Sequence, residues 1–205
     1  GLKDSFPDLY QKVVDGKWTI DEMIKLANLV YIDKTSDGKT EDDTFGIAGR
    51  QWNESPGFLH ASNIQMIEAD ESGEYKVALM NETNSAKTTA LVEKLLALSK
   101  SDCAWFDYQT TSIDTVPMSS GRTLMHVGST YGIETLLDYD ISFGVLPYPM
   151  YDTAQKDVGY RSLQWGGYLC VPSYLKKEAV LVEIVEASVC HSREQSKKQK
   201  ECASR

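Results

Sequence analysis

Gly121–Pro172 reads GRTLMHVGSTYGIETLLDYDISFGVLPYPMYDTAQKDVGYRSLQWGGYLCVP, and this run decides the fold. Three short apolar segments stand out in it, residues 123–127, 141–146 and 168–171, each with the β-branched and aromatic content of a strand. Glycine, serine and aromatic residues gather where these strands end, and no nucleophile stands beside a base. Such a run is the rim of a binding surface without reaction chemistry.

Upstream, the punctuation is equally regular. Thr19 and Glu22 form an S/T-x-x-E capping box, after which Ile20, Met23, Ile24, Ala27 and Val30 recur at helical spacing. Trp18 stands before the cap as a hydrophobic staple. A polar loop over 33–43 leads to a strand over 44–48, and residues 49–64 are expected to form a loop running into a short helix. Segments 65–69 and 75–79 flank the turn Asp70-Glu71-Ser72-Gly73 and predict a hairpin. Asn84 or Ser85 caps a helix whose broad apolar face, Ala90, Leu91, Val92, Leu95, Leu96 and Leu98, is assigned to the core. Residues 100–120 form a looser stretch, and an apolar helix over 175–189 follows Pro172. Short strands alternating with helices predict one α/β domain, a mixed sheet flanked by helices, over residues 1–190. The tail 191–205 carries Arg193, Lys197, Lys198, Lys200 and Arg205 against two acids with almost nothing apolar, and is expected to be disordered or non-native.

A chain of 205 residues can bury one sizeable core, or at most two small ones. Its formal charge of −9 argues against nucleic acid, whose phosphates need a basic stripe, and leaves a neutral ligand open. No apolar stretch approaches the ~18 residues of a membrane span. Cys103, Cys170, Cys190 and Cys202 are too few and too scattered for a disulfide framework, no CxxC pair suggests zinc, and Cys170 is read as a buried free thiol. No cofactor is called for.

Several pieces, in this order, resemble one family. They are Gly16-Lys17-Trp18-Thr19-Ile20-Asp21 opening a helix, Asp33–Gly46, Gly121–Gly128, Phe143-Gly144-Val145-Leu146-Pro147-Tyr148-Pro149, and Trp165-Gly166-Gly167-Tyr168-Leu169-Cys170-Val171-Pro172. Together they make the chain similar to the carbohydrate-type extracellular solute-binding proteins (family 1) of ABC importers. The resemblance implies a periplasmic-binding-protein-like (type II) fold, of which this chain is much of the second lobe. The first lobe, the signal peptide and a lipid anchor would then belong to the full-length parent, held at the outer cell surface. It further implies a non-catalytic function: a small solute, a sugar or oligosaccharide, bridges two lobes, and ABC permease subunits recognise the closed form.

Aromatic faces suit the apolar C–H side of a pyranose, while short polar side chains and backbone groups meet its hydroxyls. Trp52 and Trp165 fall at strand ends, where crevices of open α/β sheets form, and each either lines a cleft or caps the core. Gly128-Ser129-Thr130 joins a strand to a helix starting near Tyr131; its free N–H groups and the Ser129 hydroxyl suit a ligand oxygen as well as ordinary N-capping. Gly166 lies in the turn with Trp165, and Tyr160 and Tyr148 are further aromatic candidates. Asp33, Thr35, Asp37, Gly38 and Glu41 imitate the start of a calcium loop, but Thr44 occupies the position of the closing glutamate, so a solvated turn fits better than a metal cage.

Two rivals differ in class. A glycan-active enzyme would need paired carboxylates, for which Asp138 and Asp140 are the candidates, although a turn explains both. His126 with Ser129 lacks an orienting acid and a nucleophile elbow. A non-catalytic interaction module is the other rival. The expectation is a protein that is not an enzyme.

Overall fold

Strand β2 (Thr44–Arg50) is the axis of the sheet, buried from Phe45 to Gly49 on both of its faces. Its neighbours explain that burial. The computed structural model describes residues 6, 8–40, 42–107, 116–128, 136, 139–163, 183, 186, 187 and 190. The chain divides into two compact units, Gly1–Leu163 and Gln164–Arg205, and the sheet lies in the first. Strand β6 (Thr123–Val127) runs parallel along one side of β2, with Phe45 opposite Thr123 and Gly49 opposite Val127. The other side is shared by β1 (Tyr31–Ile32), antiparallel at the start of β2, and β5 (Ala104–Asp107), parallel at its end. The protein is therefore mixed α/β with a mixed sheet, as the alternation of segments predicts.

Helices α1 (Leu9–Val14) and α2 (Ile20–Ala27) precede the sheet. Half of the expected capping box is built at the α2 start: Thr19 is extended, and its hydroxyl accepts the Glu22 N–H at 3.3 Å. The Glu22 carboxylate turns to Lys12 and Lys25. Ile20, Met23, Leu26 and Ala27 face the core. At its far end α2 sits almost on the strand, because a Cβ on Gly46 would lie 1.8 Å from the Ala27 carbonyl oxygen.

Three expectations are corrected. Residues 49 and 50 continue β2, and α3 (Gln51–Ala61) follows directly, so no loop separates strand from helix. Residues 141–146 form no strand. The Ile141 N–H turns back to the Tyr139 carbonyl, and it is the chain just beyond the segment that is anchored, by the Trp18 indole donating to the Pro147 carbonyl at 2.9 Å and by the bridge between Thr19 and Met150. In α4 (Ser85–Lys100) only part of the apolar face is covered: Leu91 and Leu98 are buried, whereas Val92 and Leu96 are half exposed.

The expected hairpin is present, with β3 (Ile67–Ala69) antiparallel to β4 (Tyr75–Val77). Asp70 closes its turn by accepting from the Ser72 and Glu74 N–H groups, each at 3.0 Å, and Gly73 takes φ +82°. Asn84 donates to the carbonyls of Gln65 and Ala78 rather than capping α4, and Thr88 donates to Leu79, so the hairpin base is tied to the helix. Helix α5 (Val116–Ser119) and a 3₁₀ turn at Thr153–Asp157 follow among the described residues of this unit. Buried Gln155 on that turn donates to the Ala61 and Gly159 carbonyls and accepts from Tyr151, using both ends of its amide. In the second unit Glu183, Glu186, Ala187 and Cys190 are helical; the 168–171 strand, Cys170 and the tail 191–205 lie outside the described residues.

Candidate functional site

Three parallel strands end at one edge. Gly49 is opposite both Phe106 of β5 and Val127 of β6, so the carboxyl ends of β2, β5 and β6 stand side by side. The chain leaves β2 through α3, the hairpin and α4 to reach β5 on one side, and then crosses to β6 on the other. That reversal makes β2 a topological switch point, the place where open α/β sheets form a crevice beyond the strand ends. Gly49 keeps the edge narrow: a Cβ there would lie 3.1 Å from the Val127 carbonyl oxygen and 3.2 Å from the Phe106 ring.

Two of the residues singled out from sequence meet at this edge. Trp52 lies in the first turn of α3, three positions beyond Gly49, and Gly128 follows Val127 directly. The first turn of α3 also leaves N–H groups without intrahelical acceptors at the strand ends. The Trp52 side chain, Ser129, Thr130, Trp165 and Gly166 lie outside the described residues.

His126 joins the edge by a route that its sequence position hides. Its Nε2 lies 3.1 Å from the point a Cβ on Gly128 would occupy, so the ring folds over the strand end. Alternation along β6 assigns it only a half-buried place; the signal was the glycine two residues later, which leaves room for the ring.

The tyrosines brace the chain. The Tyr160 hydroxyl accepts the Trp18 N–H at 3.2 Å, and burial pushes its phenol pKa up while that N–H pulls it down. Tyr148 meets Phe58 edge to face with centroids 5.1 Å apart, over Gly57 of α3. Both contacts fix residues 147–160 against α3 and the entry to α2.

In the loop after β1, the carboxylates are occupied by the backbone. Asp33 accepts from the N–H groups of Thr35, Ser36 and Gly38, and Asp37 pairs with the Thr35 hydroxyl. Fully buried Asp43 accepts from Thr40 and Lys34, and these N–H groups hold its carboxyl below the usual range, with Arg122 adding to the effect. Among the described residues no group of three or more His, Cys, Asp and Glu side chains is arranged to hold a metal. Asp140 is exposed in a bend, and Asp138 lies outside the described residues. No family model, curated protein or solved structure matches the chain.

Proposed function

We propose that this chain is a ligand-binding lobe of a carbohydrate-type extracellular solute-binding protein, with a periplasmic-binding-protein-like fold. The observation that carries the reading is the switch point at β2. There the ends of three parallel strands, the start of α3 with Trp52, and Gly128 with His126 share one edge. Narrow glycine-bearing strand ends let backbone groups approach a sugar hydroxyl, and an aromatic at the helix start offers a face for the ring.

The work of such a lobe is differential binding. A sugar or oligosaccharide that touches both lobes stabilises the closed arrangement by its excess affinity for closed over open, and ABC permease subunits read that state. One lobe alone supplies about half of the contacts, so its own affinity is weak. In the parent the protein is extracellular and anchored at the cell surface.

The test is an NMR titration of the chain with a panel of mono- and oligosaccharides at millimolar concentration, followed by product analysis. The expected result is a saturable shift of the Gly49 and Gly128 amide signals by at least one sugar, with the sugar recovered intact. Silence of those amides across the panel would overturn the reading. So would glycan cleavage, which would favour the paired-carboxylate enzyme.

A further inference from the structure

The β3–β4 hairpin is a ribbon with two unlike faces. Residues opposite one another in an antiparallel pair share a face, so Ile67 with Val77 and Ala69 with Tyr75 form one side, and Glu68 with Lys76 lie on the other. The apolar side is open, with Ile67 62%, Tyr75 78% and Val77 80% exposed. From Ile67 to Glu82, five carboxylates stand against Lys76, which is itself paired with Asp70 at 2.7 Å.

The ladder fixes which backbone groups face outward. Ala78 donates to Met66 and Asp70 donates to Glu74, so the even-numbered residues form the hydrogen-bonded pairs. Ile67 and Ala69 therefore turn their N–H and C=O groups away from β4, along an edge that pairs with no other strand among the described residues. Asn84 and Thr88 hold the base of the ribbon to α4, so this edge stands on a fixed support.

We infer that the outer edge of β3 receives an extended segment of a partner protein in which apolar and basic residues alternate. Backbone bonds to Ile67 and Ala69 set its register. With a period of two, its apolar side chains extend the Ile67–Tyr75–Val77 face while its basic ones fall beside Glu68 on the opposite face. The charge selects both edge and occupant: the free edge of β4 presents Lys76 to such a cation. A second copy of this acidic chain, paired through the same edge, would bring Glu68 beside its own counterpart. This inference is independent of the sugar-binding reading.

The probe is a short end-blocked peptide of alternating valine and lysine, titrated into the full chain by fluorescence anisotropy, with a valine–glutamate peptide as control. Binding of the lysine peptide at least about tenfold tighter than the control is expected. Ala69→Pro removes an outward N–H and no ladder bond, and Glu68→Lys reverses the selecting charge on an exposed residue. Each is expected to weaken the lysine peptide at least about tenfold, with the melting temperature of Glu68→Lys falling by no more than the small cost of a lysine opposite Lys76. Equal affinity for the two peptides, native affinity in both variants, or concentration-dependent dimerisation of the chain through this edge in place of peptide binding would each overturn the inference.

Discussion

Gly46 shows how one residue sets the distance between two layers. A methyl group there would sit inside the Ala27 carbonyl, a backbone atom that has no rotamer to move. Gly46→Ala is expected to cost on the order of 3 kcal/mol or to prevent folding, as read by urea denaturation. Thr19→Ala makes the contrasting case. It removes a cap from α2 and a single buried γ-methyl but introduces no clash, and a loss of about 1 kcal/mol is expected in the same measurement. The two residues were unequally legible. The Thr19 cap is a local pattern and survives folding even though Glu22 turns to lysines, whereas the need for glycine at position 46 arises only when α2 and β2 meet. His126 belongs to the second kind, since its nearness to the strand-end edge depends on the space left by Gly128.

Helix α4 divides its leucines between core and solvent. Leu91 is fully buried, and Leu91→Ala is expected to cost about 3 kcal/mol, most of it from the cavity left behind. Leu96 is half exposed, and Leu96→Ala is expected to stay within about 0.5 kcal/mol, the two variants being compared in one denaturation series. Helical spacing marks six apolar positions but not the width of the surface that receives them, which depends on what packs alongside. The strand expected at 141–146 failed for a related reason: an apolar run does not reveal whether a sheet edge is there to receive it, and here Val145 is 58% exposed while the chain is anchored only beyond the run, at Pro147. The hairpin was legible because its turn chemistry is local. There the Lys76 ammonium, the Ser72 hydroxyl and the turn N–H groups draw the Asp70 carboxyl down to about 2. Since that value is below the ~3.9 of an unfolded aspartate, the turn gains stability above about pH 4 and loses it as pH falls toward 2. An NMR titration following the Ser72 and Glu74 amides is expected to show that midpoint, and Asp70→Asn to abolish it.

At the scale of the molecule, every described member of the main apolar cluster comes from the first compact unit, from Leu9 to Ala104 with Tyr148, Tyr151 and Tyr160 packed against it. A chain ending at Leu163 is therefore expected to melt in one cooperative transition by calorimetry. The broad class, α/β with a mixed sheet, followed from alternating segments, but the strand order did not. β5 went unrecognised in a looser stretch, because four residues, Ala104 to Asp107, make too short a run to show a period. Without β5 the reversal about β2 is invisible, and with it the reason why Trp52 and Gly128 stand at a common edge.

Pro56 lies within α3, where it has no N–H to offer the carbonyl of Trp52 four residues earlier. The turn that carries Trp52 is thus fastened more loosely than the rest of its helix. That carbonyl therefore finds its partner outside the helix ladder, in the turn that adjoins the ends of β2, β5 and β6.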